Sequence, residues 1–154
     1  MSPIERSAGG GGGGATPSLA SDRKTLTTGD FTWTATTFTD LNAALDITLT
    51  TGAHRCLCAW TLMAKNSDGT GPPQLQVDVE LDGTRLGQTF GLVFFGPNAN
   101  NNVNLSGSTL TSVLTAASHT FKLMFRIDGN HGTTSIYAST TIAPIIFNVV
   151  ELYA

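Results

Sequence analysis

Residues 75–90 read LQVDVELDGTRLGQTF, and this stretch decides the fold of the chain. Apolar side chains alternate with polar ones through its first seven residues, which is the period-two pattern of a β-strand with one buried side and one solvated side. Asp82-Gly83 follows, a pair that tolerates the positive φ angles of a tight hairpin turn. The segment from Thr84 to Phe90 then predicts a return strand. The stretch as a whole therefore predicts a β-hairpin.

Comparable alternation recurs at near-regular spacing from residue 31 to the C-terminal region. Clear examples are residues 45–49 (LDITL) and 119–127 (HTFKLMFRI). Only residues 40–44 suggest a helical turn. This spacing predicts an all-β fold, a two-sheet jelly-roll sandwich of eight or nine antiparallel strands in about 120 residues. An immunoglobulin-like sandwich is the alternative, although its cysteine spacing is absent. The expected core includes Val77, Val79, Leu81, Phe121, Leu123, Phe125, Phe147 and Val149.

Residues 1–30 predict an extended N-terminal arm. Six consecutive glycines, together with Pro3 and Pro17, leave few side chains that could pack into a core. We therefore assign residues 1–30 to the arm and residues 31–154 to the sandwich domain. The composition of the arm fits a disordered linker. Alternatively, because glycine is favoured where backbones approach too closely for a Cβ atom, the arm is expected to lie in a groove of a partner or near a threefold axis. Its candidate contact residues are Ile4, Gly9, Gly10, Gly11, Gly12, Gly13, Gly14 and Leu19.

The surface is expected to carry little charge. Asp, Glu, Lys and Arg make up 12% of the chain, about half of the ~25% that is usual in soluble domains. With a net charge of −3 and eight Lys and Arg residues, the sequence shows no basic face that could bind nucleic acid. No apolar run approaches the ~20 residues of a membrane span, and the N-terminus lacks the apolar region of a secretory signal. The charge-poor surface fits either a plain low-charge viral or extracellular domain or a surface covered by partners.

The stretch from His54 to Lys65 (HRCLCAWTLMAK) is apolar on both sides. A strand with two apolar faces is either central in its sheet or in contact with another subunit. Cys56 and Cys58 point to the same side, where a disulfide between them would be strained, and we interpret them as small buried side chains. The opposite side supplies the candidate subunit contact, which consists of Leu57, Ala59 and Met63.

Catalysis is not expected. The sequence contains no GxSxG, HExxH or P-loop motif, and no GxGxxG between a strand and a helix. His54, His119 and His131 fall at strand starts or in a turn, where they predict capping or surface roles. Asp78 and Glu80 share one side of a strand, and we interpret that side as solvated rather than as a carboxylate pair. We predict no cofactor and no metal ion.

Three stretches resemble a known group of proteins. Residues 109–129 (TLTSVLTAASHTFKLMFRIDG) resemble a segment of phage and bacterial jelly rolls in which a small-residue turn and a histidine open a long amphipathic strand. Residues 77–87 (VDVELDGTRLG) resemble the preceding hairpin, and an apolar strand ending near residues 149–152 completes the likeness. The chain resembles, over residues 31–153, the capsid decoration (cement) proteins of tailed phages. More remotely, it is similar to trimeric tail-fibre knobs and tumour-necrosis-factor-like domains.

The resemblance implies a trimeric jelly roll with a structural role and no catalytic residue. The expected protein is a homotrimer that is made in the host cytoplasm, binds the major capsid protein on the outer surface of a phage capsid and stabilises it there. The alternative is the receptor-binding knob of a tail fibre or spike, whose loop at residues 96–102 would contact a glycan. A knob usually sits on a long shaft, whereas this chain has only a short arm, which favours the decoration protein.

Overall fold

The computed structural model describes residues 19–66, 75–95, 101–128, 133–140 and 143–153. These residues form twelve strands and one 3-10 turn at Ala43–Leu45. The side-chain oxygen of Asn42 accepts a hydrogen bond from the Ala44 N–H and caps this turn. The strands are β1 (Ser21–Leu26), β2 (Asp30–Trp33), β3 (Thr39–Asp40), β4 (Ile47–Thr50), β5 (Arg55–Asn66), β6 (Leu75–Leu81), β7 (Thr84–Arg85), β8 (Val93–Phe95), β9 (Asn102–Leu110), β10 (Ser118–Ile127), β11 (Thr134–Tyr137) and β12 (Ile145–Leu152).

Two antiparallel sheets pack face to face and confirm the predicted jelly-roll sandwich. In the larger sheet, β9 lies along one edge of β5, while β12 and β11 share the other edge and carry β1 and β2 outside them. In the smaller sheet, β3 and β4 share one edge of β10, and β6 pairs with its other edge. β7 and β8 share the remaining edge of β6. When the short strands that share an edge are merged, eight positions remain. They follow the order 1-8-3-6 in the larger sheet and 2-7-4-5 in the smaller one, which is jelly-roll topology.

The core lies between the sheets and contains the side chains that the alternation identified. Seven of the eight predicted core residues are fully buried, and Leu81, at the end of the hairpin strand, is half-buried.

Strand β9 continues through Gly107, which lies opposite Trp60 in the register. A Cβ atom at Gly107 would lie 2.4 Å from the Trp60 ring, so only glycine leaves space for the indole there.

The tight turn of the hairpin is confirmed, but its return strand is shorter than predicted. Asp82 and Gly83 both have positive φ angles, 49° and 82°. β7 ends at Arg85, so the predicted strand to Phe90 is wrong beyond that residue. Beyond Arg85 the Leu86 N–H still donates to the Val79 carbonyl at 2.8 Å, and the Gly87 N–H then donates to the Asp78 carboxylate at 2.8 Å.

The side of β6 that the sequence predicts as solvated is covered. Gln76 is 1% exposed and Asp78 is 0% exposed. The guanidinium groups of Arg85 and Arg126 lie 4.1 and 4.8 Å from the centre of the Phe38 ring and close over this side of the strand. The interpretation of Asp78 as part of a solvated face is therefore wrong, while Glu80, two residues further on, remains partly exposed.

The folded domain begins earlier than the predicted boundary at residue 30. β1 pairs with β12 over six residues, from Ser21 opposite Val150 to Leu26 opposite Ile145. Its sequence, SDRKTL, shows little hydrophobic alternation because it forms an edge strand, and charged side chains on such strands discourage pairing with other chains. Residues 21–26, which the prediction placed in the arm, therefore belong to the larger sheet.

His119 joins the hairpin turn to the start of β10. Its Nδ1 lies 2.6 Å from an Asp82 carboxylate oxygen, and its Nε2 lies 3.0 Å from the Thr115 carbonyl oxygen. Both partners only accept hydrogen bonds, so both ring nitrogens must carry a proton for the two bonds to form. These bonds, that to Asp82 first, raise the pKa of His119 above 6.5. At 8% exposure, His119 is a capping residue rather than a surface one.

The stability of the fold is therefore expected to fall as pH rises through the raised pKa of His119. A group whose pKa is raised by folding stabilises the folded state fully below its unfolded pKa of about 6.5 and loses that contribution at higher pH. The Thr120 N–H and His119 lower the pKa of Asp82, so the Asp82 contribution is lost only as pH falls through that depressed value. Urea unfolding at pH 5.5, 7.0 and 8.5 should show the alkaline loss in the wild type and much less of it in His119→Asn. Equal losses in both proteins would contradict this role of His119.

Candidate functional site

The predicted arm contacts fall largely outside the described residues. Ile4 and Gly9 to Gly14 belong to residues 1–18, whereas Leu19 is described and half-buried directly before β1. The backbone of the next residue is fixed on both sides, since Ala20 donates its N–H to Glu151 Oε2 at 2.9 Å and accepts the Glu151 N–H at 2.8 Å. The N-terminal segment therefore joins the fold at a defined point of the larger sheet.

Glu151 is the residue that fixes this point. Its side chain is buried, and its Oε1 accepts hydrogen bonds from the Gly52 N–H at 2.5 Å and from His54 Nδ1 at 2.9 Å. The Ala20 N–H is the main cause of the lowered pKa of Glu151, and His54 and Gly52 lower it further against the opposing effect of burial. The carboxylate thus ties together the chain before β1, the loop before β5 and the last strand.

The predicted subunit-contact residues share the outer face of β5. Cys56, Cys58 and Trp60 point into the core from the other face. Leu57 and Ala59 are half-buried on the outer face and reach the surface. Met63 is 5% exposed and is covered by its own chain, so it offers little surface to a partner.

A row of side chains crosses the outer face beside Leu57. The strand register places Ser21 of β1 next to Val150 of β12, Val150 next to Leu57 of β5, and Leu57 next to Leu110 of β9. Val150 is 36% exposed and Leu110 is 47% exposed. We call Val150, Leu57 and Leu110 the apolar row, and none of these side chains carries charge.

Two further exposed apolar side chains lie at the same end of the larger sheet. The Leu114 N–H donates to the His54 carbonyl, which places Val113 beside the start of β5. The Tyr153 ring meets the His54 ring edge-on, with 5.4 Å between the ring centres. Among the described residues, five large hydrophobic side chains are exposed, and the fifth, Phe90, lies on the segment between β7 and β8 of the smaller sheet. Exposed apolar area is therefore concentrated at one end of the larger sheet, which is typical of a contact surface.

The two core thiols are protonated near neutral pH. Cys56 and Cys58 are buried and free, and burial raises their pKa to about 11 and about 12, so both stay protonated and unreactive near neutral pH. Within the described ranges, no group of three His, Cys, Asp or Glu side chains could hold a metal ion. Likewise, no helix in the part of the chain that the structure describes is long and apolar enough to cross a membrane. His131 and residues 96–100 of the candidate glycan loop lie outside this part.

Of the apolar row, the sequence alone singles out Leu57 as a candidate contact residue but not its neighbours Leu110 and Val150. Leu110 and Val150 stand at outward positions of alternating strands, yet only the pairing register brings them beside Leu57. No protein-family model, curated protein or solved structure matches the chain.

Proposed function

We propose that the chain is a structural virion protein, a decoration protein that binds the outer surface of a phage capsid and stabilises it. Its partner is the major capsid protein, and its working form is a homotrimer. The N-terminal segment binds the capsid. The outer face of β5 contributes to the contact between subunits through Leu57 and Ala59, and the covered Met63 lies near that contact.

The observation that carries the proposal is the position of the apolar row beside the entry of the N-terminal segment. Ala20, fixed by Glu151, is the neighbour of Ser21, and Ser21 continues the row on β1. The point where the N-terminal segment enters the sheet and an apolar contact surface thus lie side by side, on a chain in which only 12% of residues are charged. A surface with few charges and one concentrated apolar region suits lasting contact with other proteins.

The alternative is the receptor-binding knob of a tail fibre or spike. The observation that favours it is Phe90, which is 63% exposed on the opposite sheet, away from the point where the N-terminal segment enters. Exposed aromatic side chains are frequent contact residues in recognition surfaces. In this case the N-terminal segment would only join the domain to a shaft.

Removing residues 1–18 is expected to weaken binding to capsids that lack the protein by at least tenfold while leaving the domain folded. The cut precedes Ala20 because β1 belongs to the larger sheet and Glu151 needs the Ala20 N–H as a partner. Co-sedimentation of purified protein with such capsids measures binding, and circular dichroism with a thermal melt verifies the fold. Undiminished capsid binding by the truncated chain would refute the role of the segment. Host-cell binding by the truncated chain, with no capsid binding by the intact one, would favour the knob.

A further inference from the structure

β9 has one edge that is not paired with another strand. Its other edge pairs with β5 over its whole length, and no further strand of the described residues pairs with it. The Thr111 N–H donates to the Cys56 carbonyl, so the main chain at Thr111 faces β5. In an antiparallel ladder the N–H and C=O groups of successive residues point to opposite edges of the strand. The main-chain groups that face away from β5 therefore belong to the exposed residues Asn102, Asn104, Ser106, Ser108 and Leu110.

This edge lacks the features that keep the other edges of the two sheets from pairing. β1, at the opposite edge of the larger sheet, carries Asp22, Arg23 and Lys24. β2 has four residues, and the edge strands of the smaller sheet have two to four. In contrast, β9 extends over nine residues, about 30 Å, without a charged residue, a proline or a break in its register. Natural proteins rarely leave such an edge open, because it offers unpaired hydrogen-bonding groups to other chains. β9 therefore has the features of a strand that is paired in the working protein.

We propose that two copies of the chain pair through β9, antiparallel and about a two-fold axis, so that their larger sheets form one continuous sheet. Full overlap of the two strands places Ser106 on the axis opposite its own copy, and Asn104 opposite Ser108 of the second copy. Each free N–H then meets a free carbonyl, because the same residues carry the unpaired groups in both copies. The inference goes beyond the proposed function, since it concerns the edge of β9 and requires no capsid.

Length, charge and symmetry favour a second copy of the chain as the partner. No other free edge in the described part of the chain is as long as that of β9, so a second copy matches it best with its own β9. Serine and asparagine side chains can form hydrogen bonds across the paired strands, and no like charges face each other there. Pairing about a two-fold axis also ends the assembly, because neither copy of β9 keeps a free edge.

The basic side chains near β9 do not oppose this pairing. Lys65 lies next to Asn102 in the register, and Arg55 lies on β5 beyond the position of Leu110. Antiparallel pairing brings Lys65 of one copy towards Arg55 of the other, but both copies of β9 lie between them. Three strand spacings separate the two residues by about 14 Å, which exceeds the screening length of about 10 Å in 0.1 M salt.

The pairing predicts an even number of chains in the free protein. The contact through β9 uses main-chain groups at a strand edge, whereas the proposed trimer contact uses side chains on the outer face of β5. The two contacts can therefore coexist. The free protein is a dimer where only β9 pairs, and it is a dimer of trimers where both contacts form.

Disulfide trapping tests the inference on the full-length free protein. Ser106→Cys places a thiol on the axis, where the Cα atoms of a hydrogen-bonded pair are about 5.5 Å apart, within the range of a disulfide. Asn102→Cys is the matched control, since Asn102 is exposed on the same edge but lies about 27 Å from its own copy in the paired register. The native Cys56 and Cys58 are fully buried and do not compete. Under mild oxidation at micromolar protein, non-reducing electrophoresis should show an interchain disulfide that forms at least tenfold faster in Ser106→Cys than in Asn102→Cys.

A charge on the axis provides a second, independent test. Ser106→Lys places two like charges opposite each other and should weaken the pairing at least tenfold. Thr25→Lys is its control, because Thr25 is exposed at the opposite edge of the larger sheet, in the same row of the register as Ser106. Sedimentation equilibrium measures the mass and the dissociation constant of each protein, and circular dichroism verifies that each is folded.

Any of three results would overturn the inference. A wild-type protein that is a monomer or a plain trimer at micromolar concentration would show that β9 does not pair two copies. Equal disulfide rates in the two cysteine variants would indicate random collisions, and equal dissociation constants of the two lysine variants would place the contact elsewhere. Because no particle is present, these results are distinct from a failure of capsid binding.

Discussion

Replacing Phe125 by alanine is expected to lower the free energy of unfolding by about 3–5 kcal/mol, as truncation of a buried phenylalanine generally does. The ring is completely buried in the middle of β10, whose neighbours at this position are Val77 of β6 and Thr39 of β3. It also meets the Trp33 ring edge-on, with 6.0 Å between the ring centres. Alanine would leave a cavity where the two sheets meet, and urea denaturation measures the loss.

Phe90→Ala is the matched control for this substitution. Phe90 is the same residue type at 63% exposure, so its truncation should change the free energy of unfolding by less than about 0.5 kcal/mol. A loss below about 1 kcal/mol for Phe125→Ala would mean that the ring is not part of a packed core.

Replacing Asp78 by alanine is expected to cost about 2–4 kcal/mol of stability. The carboxylate is fully buried, lies 3.2 Å from Arg85 Nη1 and accepts the N–H groups of Gly87 and Val79. Burial is the main cause of its raised pKa, and the bonds from these partners oppose the shift. Removing one member of a fully buried ion pair costs about 3–5 kcal/mol. The range expected here is lower because the Arg85 side chain is 31% exposed and keeps part of its hydration.

Glu80→Ala provides the control on the same side of the same strand. Glu80 is partly exposed two residues beyond Asp78, and its removal should stay within about 0.5 kcal/mol. Asp78→Asn keeps the shape and removes the charge, so it separates the ion pair from the packing of residues 86–91 above it. Equal stability of Asp78→Ala and Glu80→Ala in urea denaturation would show that the buried carboxylate does not hold this segment.

The sequence predicts those parts of the fold that depend on neighbouring residues, namely strands with one buried side and tight turns. β6, β10 and β12 alternate because one side of each faces the core, and Asp82-Gly83 marks the turn because both residues adopt positive φ. β1 falls within the predicted arm because its sequence, SDRKTL, contains few side chains that could pack into a core. The cover over Asp78 was missed because it depends on Phe38 and Arg126, which lie far from that residue in the sequence.

Only the part of the candidate site that lies on β5 could be predicted from the sequence. The two apolar faces of β5 predict Leu57, Ala59 and Met63 as contact residues. The structure leaves Leu57 and Ala59 half-buried on the outer face, whereas Met63 is covered by its own chain. Glu151 was missed because an acidic residue near the end of an apolar strand resembles a solvated position. Its burial follows from the N–H donors of Ala20 and Gly52, which only the folded topology brings to it.

The pairing of β1 with β12 affects the order in which the chain can fold. Ser21 lies opposite Val150, so the first described strand has no partner until the last one has been synthesised. At about 5–20 residues per second, this delay lasts roughly 6–25 s on the ribosome. During that time Asp22, Arg23 and Lys24 keep β1 from pairing with strands of other nascent chains. The charged residues that make β1 hard to recognise in the sequence thus discourage its pairing with other chains during synthesis. The larger sheet is completed only after β12 has been translated.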